Sequence, residues 1–258
     1  MKNNNWKLIC MSSQNYTIVN KSCLDAMRSM QPHSIDLILT DPPYNLGLFM
    51  KGRATNLKQM RSNFFGAAGW DDLEYEEWSH SMECFFEAAS NVIKIGGSMI
   101  VFMAIIKVES IIKMAEKHGF YYKTTGIWHK TNPMPRNMNL HFINSTEAWI
   151  YFTYKKHTGK FNNNGVAVHD FFESSLTPAG ERKYGKHPTQ KPVELLSKMV
   201  TLLSDKGDVI FDPFMGSGST GVAALRNHRI FVGSEINEEY CKISQARLES
   251  VIYEQTDD

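Results

Sequence analysis

A β-α-β pattern near the end of the chain, between residues 208 and 233, constrains the fold more than any other feature. An apolar run typical of a buried strand is followed by a helical pattern and then by a second apolar run. Gly216, Gly218 and Gly221 form a GxGxxG pattern where the first run gives way to the helix. Glycines at this place let a ligand approach the backbone closely, so the pattern predicts a nucleotide-type cofactor beside a parallel sheet.

An acidic residue, Glu235, follows Gly216 by nineteen positions and comes just after the second apolar run. A carboxylate at this distance can accept hydrogen bonds from ribose hydroxyls. A phosphate-binding P-loop is excluded, because no Lys-Ser or Lys-Thr pair follows the glycines. NAD remains possible on this pattern alone, although the preceding Asp212-Pro213 is not part of a dinucleotide fingerprint.

Alternating strand and helix patterns along the rest of the chain predict one α/β domain over residues 1–258, with a doubly wound, mostly parallel sheet. The further predicted strands lie at residues 34–40, 99–103, 121–129 and 147–154, and the further predicted helices at about 75–93, 108–115, 195–203 and 238–253.

Two stretches interrupt this alternation. Residues 45–70 contain four glycines and four Lys or Arg without a period, which predicts a long mobile loop. Residues 155–186 are rich in Asn, Gly and basic side chains, and are predicted to be an inserted target-recognition segment. Between residues 121 and 192, ten Lys or Arg stand against four Asp or Glu, a net charge of +6, although the whole chain carries only +1. This asymmetry is typical of a nucleic-acid-binding face, the alternative being a solvated loop region with surplus lysines.

No apolar stretch is long enough for a signal peptide or a membrane span, so we expect a soluble cytoplasmic protein of prokaryotic origin. The cysteines are scattered without CxxC spacing, which indicates neither a metal site nor a disulfide framework. They are Cys10, Cys23, Cys84 and Cys241.

The segment Asp41-Pro42-Pro43-Tyr44 directly follows the first predicted strand and so lies at the carboxyl end of the sheet. An exocyclic amine of a nucleobase is a poor nucleophile, because its lone pair is delocalised into the ring. The Asp41 carboxylate and the Pro42 carbonyl can accept the two amino hydrogens, and the Tyr44 ring can stack on a base, which is worth about 1–3 kcal/mol. The alternative interpretation is a plain turn that ends the strand.

Three segments together resemble the β group of S-adenosylmethionine-dependent DNA amino-methyltransferases, which are chiefly adenine-N6 enzymes. They are the catalytic motif at residues 41–44, the cofactor motif FDPFMGSGST at residues 211–220, and HPTQKP at residues 187–192. The catalytic motif comes first, as in that group. The resemblance covers nearly the whole chain and implies a seven-stranded, Rossmann-like methyltransferase sheet with S-adenosylmethionine as the cofactor. Ser219 stands where the family often has Thr.

The resemblance also implies which residues form the site. Asp41, Pro42 and Tyr44 would be catalytic, and Glu235 would hold the ribose, while no metal or covalent intermediate is required. The other residues expected at the cofactor lie in the second and third segments, and are His187, Thr189, Lys191, Asp212, Phe214, Gly216, Ser217, Gly218 and Ser219.

A base inside a duplex cannot reach such a pocket, so base flipping is expected. The residues expected to bind DNA are Trp128, Lys130, Asn132, Arg136, Arg182 and Lys183. Trp128 could equally belong to the core, and Lys130 and Arg136 are better suited to phosphates. Sequence readout is assigned to the two irregular segments, with Arg53 and Arg61 as further candidates.

Asp41 also bears on the target base, because related enzymes that act on cytosine N4 usually carry Ser there and those that act on protein glutamine usually carry Asn. We therefore expect a site-specific adenine-N6 DNA methyltransferase, either part of a restriction-modification system or solitary. The alternatives are a cytosine-N4 enzyme, a single-strand DNA or RNA methyltransferase, and a catalytically silent nucleic-acid-binding subunit. A homodimer or a partner methyltransferase or restriction subunit is also expected.

Overall fold

A computed structural model describes residues 10–12, 15–46, 73–134 and 142–256 of the chain. Most of the predicted loop at residues 45–70, with Arg53 and Arg61, lies outside these described residues. Arg136 lies outside them as well.

The described residues contain a nine-stranded sheet in the order β1-β2-β9-β8-β3-β4-β6-β5-β7. The strands are β1 (Cys10–Ser12), β2 (Tyr16–Val19), β3 (Ile35–Thr40), β4 (Ile93–Met103), β5 (Phe120–Lys130), β6 (Thr146–Tyr154), β7 (Phe171–Ser174), β8 (Val209–Asp212) and β9 (Ile230–Ser234). Five of the eight neighbouring pairs are parallel, and the antiparallel pairs are β1 with β2, β4 with β6, and β5 with β6. The predicted α/β class with a mostly parallel sheet is therefore confirmed.

The expected count of seven strands was wrong, because the described sheet has two more. Its outermost members, β1 and β7, have only three and four residues, too few to show a period in the sequence. Strand β7 lies within residues 155–186, so part of the predicted insert extends the sheet beside β5.

Six α-helices and two 3-10 turns accompany the sheet within the described residues. The helices are α1 (Cys23–Ser29), α2 (Tyr75–Val92), α3 (Val108–Lys117), α4 (Val193–Leu203), α5 (Ser219–Arg226) and α6 (Glu238–Thr256), and the 3-10 turns are Ile105–Lys107 and Ala179–Arg182. Within the described parts of the chain, none of the helices is both long enough and apolar enough to cross a membrane.

Strand β3 lies at the centre of the fold and is buried on both faces. Leu37 and Leu39 pack into the core formed with α4, α5 and α6, whereas Ile38 packs into the core formed with α1, α2 and α3. This explains why β3 reads as a continuous apolar run, since successive side chains of a strand point to opposite faces and helices cover both.

The two motif-bearing strands are neighbours although they are encoded far apart. Strand β3 pairs in parallel with β8, with Leu37 opposite Ile210 and Ile38 opposite Phe211. The carboxyl ends of both strands therefore meet at one edge, where doubly wound sheets bind their ligands. Thr40 Oγ1 donates to Asp212 Oδ1 at 2.9 Å across this edge.

Strand β6 runs in the opposite direction to its neighbours β4 and β5. Its first residues therefore lie at the edge where β4 and β5 end. Glu147, the second residue of β6, pairs with Trp128 near the end of β5. The acidic side chain of Glu147 thus lies at the same edge of the sheet as residues 41–44, because β6 begins there.

Candidate active site

The catalytic motif is held together by hydrogen bonds within and beyond it. The Tyr44 hydroxyl lies 2.6 Å from Asp41 Oδ1 and 3.0 Å from Glu147 Oε2, and its one hydrogen can be donated to either carboxylate. Asn45, the next residue, has a left-handed backbone (φ 48°) and is buried. Its Nδ2 donates to the Leu73 carbonyl at 2.9 Å, which ties the chain before residue 47 to the chain after residue 72.

Two lysines complete a compact cluster of charges around the motif. Lys191 Nζ pairs with Asp41 Oδ2 and lies 3.1 Å from Glu147 Oε2. Lys130 Nζ lies 2.5 Å from the other Glu147 oxygen. Lys191 is only 6% exposed, and the rings of Phe102 and Trp128 lie within 6 Å of its ammonium. Two ammonium groups therefore balance two carboxylates in a poorly solvated place.

The charges in this cluster change the pKa values of its members. Burial raises the pKa of Asp41, and nearby Glu147 raises it further, although Lys191 opposes both effects. Burial also raises the pKa of Glu147, but Lys191 and Lys130 outweigh it and bring that pKa down to about 2. Burial and the two carboxylates raise the pKa of Tyr44 well above its usual value. Tyr44 is therefore a neutral donor at neutral pH.

A cleft of about 430 Å³ adjoins this cluster. Most residues predicted to bind the cofactor line it together, and these are His187, Thr189, Lys191, Asp212, Phe214, Gly216, Ser217 and Ser219. Asp41 lines the same cleft. Six further residues line the cleft that the sequence analysis did not assign to the site, namely Thr40, Phe102, Gln190, Leu196, Met215 and Thr220. The cleft thus joins the catalytic and the cofactor motifs.

Gly218 and Glu235 lie beside the cleft and shape its glycine-rich loop. Gly216 and Gly218 have φ values of 50° and 77°, in the left-handed region that favours glycine. A Cβ on Gly218 would come within 3.0 Å of the Ser244 side chain. Glu235 Oε2 accepts the Gly216 N–H at 3.1 Å, and Oε1 accepts the Asn237 N–H at 2.8 Å. Glu235 therefore braces the loop in this structure.

Asp212 is buried at the base of the cleft. Its carboxylate accepts hydrogen bonds from Thr40 Oγ1, from Thr220 Oγ1 at 2.6 Å and from the Phe214 N–H at 3.1 Å. Burial nevertheless raises its pKa to about 7. His187 shows the opposite shift, since burial and the nearby Lys191 and Arg247 charges lower its pKa to about 4. His187 is therefore neutral at pH 7.

A buried arginine on α6 anchors the glycine-rich loop and has no signal in the sequence. Arg247 Nη1 donates to the Ser217 carbonyl at 2.7 Å and to Ser219 Oγ at 3.1 Å. Its other terminal nitrogen lies 3.6 Å from Glu181 in the predicted insert. Gln190 also holds the loop, because its Oε1 accepts from Ser217 Oγ at 3.1 Å. The loop is thus tied to α6 through Arg247 and to the segment at residues 187–192 through Gln190.

Comparison with known proteins identifies the family. A family model described as a DNA methylase of the N6/N4 type matches residues 35–246, which is most of the chain. The chain belongs to this family of DNA methylases. It is therefore a DNA methyltransferase that depends on S-adenosylmethionine, as the resemblance implied.

Two characterised relatives match over nearly the whole chain. The Type II methyltransferase M2.DpnII of Streptococcus pneumoniae is 33% identical over 267 residues, covering 97% of this chain and 98% of its own. The Type II methyltransferase M.HinfI of Haemophilus influenzae is 29% identical over 250 residues, covering 91% of this chain and 68% of its own.

Solved structures agree on the fold. The crystal structure of the M1.HpyAVI–SAM complex is 25% identical with a TM-score of 0.67, covering 90% of this chain and all of that one. The cytosine-N4-specific PvuII DNA methyltransferase is 19% identical with a TM-score of 0.74, covering 94% of this chain and 92% of that one. At that identity the likeness shows the fold and carries no information on the base.

The lining of the cleft fits S-adenosylmethionine. The cofactor carries a positive sulfonium and a positive ammonium, and the carboxylates of Asp41 and Asp212 both line the cleft. Hydroxyls of Thr40, Ser219 and Thr220 supply hydrogen-bonding partners, and the Phe214 side chain supplies an apolar wall. The donor set therefore matches the chemistry of the ligand.

The residues predicted to contact DNA have different surroundings. Trp128 is 2% exposed and its Nε1 donates to Ser174 Oγ at 2.8 Å, so the structure places it in the core, which was the alternative. Lys130 is paired with Glu147 and its side chain is 12% exposed, rather than extended toward solvent. Asn132 is exposed, and its Oδ1 accepts the Leu176 N–H of the insert at 2.7 Å.

Two basic residues of the insert lie nearer the surface. Arg182 is half-buried, and its Nε has no hydrogen-bond partner within the described part of the chain. Lys183 is exposed, with its Nζ 4.7 Å from the centre of the Tyr184 ring. Lys183 is thus open to solvent, whereas the Nε of Arg182 is buried.

Proposed function

We propose that this enzyme methylates adenine N6 of a base flipped out of a specific DNA site. The observation that carries the proposal is the position of Asp41, whose buried carboxylate lies at the carboxyl end of β3 and lines the cofactor cleft. An aspartate at this place can accept a hydrogen from an exocyclic amine, which a neutral serine hydroxyl does less strongly.

The residues of the chain position the amine and receive its charge. Asp41 and the Pro42 carbonyl accept the two amino hydrogens, which directs the nitrogen lone pair away from the ring plane. The Tyr44 ring stacks on the flipped base. When bound, S-adenosylmethionine supplies an electrophilic methyl group. Asp41, whose pKa burial raises, takes up the proton that the amine loses.

The roles of the residues at the cofactor are part of the same proposal. Asp212, Phe214, Ser217 and Ser219 would contact the cofactor from the β8–α5 loop, and Glu235 would hold the ribose while it braces Gly216. The remaining contacts would come from the preceding segment and the glycines, that is from His187, Thr189, Lys191, Gly216 and Gly218. This grouping is supported by the shared cleft.

For the DNA, we propose that Arg182 and Lys183 contribute from the insert, and that the exposed Asn132 contributes from just after β5. Trp128 would support the base pocket from within the core, and Lys130 would act by pairing with Glu147 rather than by touching phosphates. The relatives named above are Type II methyltransferases, which supports a place for this chain in a restriction-modification system. We further propose that it acts as a homodimer or with a partner subunit.

The deciding experiment identifies the modified base and its context together. DNA from cells expressing the enzyme is expected to carry N6-methyladenine at one short recognition sequence, found by long-read sequencing and by mass spectrometry of hydrolysed nucleosides. N4-methylcytosine would overturn the assignment of the base. Comparing duplex, single-stranded and RNA acceptors in vitro tests the substrate form, and the absence of any transfer would support a silent binding subunit.

A further inference from the structure

Glu147 contacts three other members of the charge cluster, and the motifs did not point to it. Its Oε2 lies 3.1 Å from Lys191 Nζ and 3.0 Å from the Tyr44 hydroxyl, while Oε1 lies 2.5 Å from Lys130 Nζ. It is held at the catalytic edge because β6 starts there. Glu147 does not line the cofactor cleft.

The structure shows Asp41 with both carboxylate oxygens engaged. Oδ1 accepts from Tyr44 and Oδ2 pairs with Lys191. An incoming amino group must therefore share Asp41 with a buried ammonium that binds it more strongly than a neutral amine does. Lys191 has to yield at least part of this contact for the proposed chemistry.

We propose that Glu147 is a positioning residue that holds the Lys191 ammonium when the target amino group takes its place on Asp41. Lys191 Nζ already lies within ion-pair distance of both carboxylates, so a small movement of Nζ transfers it from one to the other. This inference rests on the proposed placement of the target amine at Asp41.

Charge balance makes Glu147 suited to this task. An ammonium leaving Asp41 inside a poorly solvated cluster would be uncompensated without a second carboxylate. Lys130 fixes Glu147 from the other side and shares its charge, so Glu147 holds Lys191 less firmly than it would alone. Removing the charge of Glu147 should leave Lys191 on Asp41, whereas removing Lys130 should draw Lys191 toward Glu147.

The test compares duplexes that carry adenine or purine at the target position, opposite an abasic site, once the recognition sequence is known. Purine lacks the amino group, so the ratio of the two dissociation constants reports the contact with that group and cancels phosphate contacts. Binding is measured without cofactor. We expect Glu147→Gln to reduce the preference for adenine by about tenfold, because a hydrogen bond to a charged group is lost.

Two variants separate positioning from folding. Lys130→Met is expected to keep or increase the preference for adenine, although it removes a buried partner of the same carboxylate. Glu173→Gln, on β7, is the control and is expected to change nothing, since Glu173 faces His129 at 3.6 Å rather than Asp41. Cofactor affinity and Tm are measured for each variant.

The outcomes distinguish this inference from the proposed function. An equal loss of preference in Glu147→Gln and Lys130→Met, or an unchanged preference in Glu147→Gln, overturns the role of Glu147. A wild-type enzyme that binds both duplexes equally overturns the placement of the amine at Asp41, and the inference with it.

Discussion

At the scale of single residues, the proposed chemistry depends on how the half-buried Asp41 carboxylate is kept available for a neutral amine. Asp41 lies among one hydroxyl, one ammonium and a second carboxylate, and burial raises its pKa. Low solvation strengthens each of these interactions, so small displacements change which partner Asp41 prefers.

Replacing Asp41 by Ala is expected to reduce methyl transfer by about a thousandfold, because the amine loses its acceptor and its proton-accepting group. Lys191 would then remain paired with Glu147, so the cleft should keep its shape. The measurements are transfer of labelled methyl to DNA and calorimetric binding of the cofactor. Transfer that persists within tenfold would contradict the role of Asp41.

The place of residues 41–44 at the carboxyl end of β3 could be predicted from the sequence, because a proline-rich turn after a buried strand has a local signature. Glu147 could not, since nothing local distinguishes it from any acid at the start of a strand. Its importance arises from the reversed direction of β6, which is a property of the sheet. The burial of Trp128 was likewise undecided until its neighbours were known.

At the scale of elements, the glycine-rich loop is held from outside as much as by its own glycines. Arg247 on α6 donates to both Ser217 and Ser219, and it is 4% exposed. Burial lowers its pKa to about 10, so it stays charged at neutral pH. A helix that closes the chain therefore takes part in shaping the cofactor site.

Arg247→Met should weaken cofactor binding by about tenfold, because two loop anchors are lost and Glu181 is left without its charge partner. Arg226→Met is the comparison, since Arg226 also pairs with a glutamate, Glu254, but its side chain is 49% exposed. Isothermal calorimetry with the cofactor, together with Tm, provides the measurement. Equal effects of the two substitutions would argue against a specific role in the loop.

The β-α-β unit from β8 to β9 was predictable because its period, glycines and flanking acid are all local. Strand β7 was not, because four residues without strong alternation leave no signature. The pairing of β5 with β7 depends on tertiary contacts, which have no local signal in the sequence. The sequence therefore predicts an irregular segment where the structure has a strand.

At the scale of the whole molecule, the sheet brings negative charge from two distant parts of the chain to one cleft. Asp41 and Asp212 both line it, and β3 and β8 meet only because the sheet is doubly wound. The order of the two motifs along the chain is visible in the sequence. Their closeness in space follows from the topology of the sheet, which places β3 beside β8.

Cofactor affinity is expected to rise with pH between 6 and 8. Asp212 has a pKa of about 7, so it is about one-tenth ionised at pH 6 and about nine-tenths at pH 8. Ionised Asp212 attracts the cationic ligand, which should lower the dissociation constant by up to about tenfold. Binding near pH 6 should release a proton, measurable as a heat that depends on the buffer.

Asp212→Asn should flatten this dependence. His187 and Glu147, with pKa values of about 4 and about 2, do not change charge in this range. Asp41 also has a raised pKa, so its ionisation would likewise increase cofactor affinity as the pH rises. The Asp41→Ala variant measures how much of the pH dependence comes from Asp41. If the pH dependence of cofactor affinity survives in Asp212→Asn but vanishes in Asp41→Ala, it arises from Asp41 rather than from Asp212.

The bond from Asn45 Nδ2 to the Leu73 carbonyl has a consequence for how such enzymes diversify. It closes the chain on itself immediately after the catalytic motif, so the stretch between these residues begins and ends at one point. Lengthening a closed stretch adds little further entropy of closure. We therefore expect that segments of different size and composition can be exchanged between Asn45 and Leu73 while Tyr44 keeps its place.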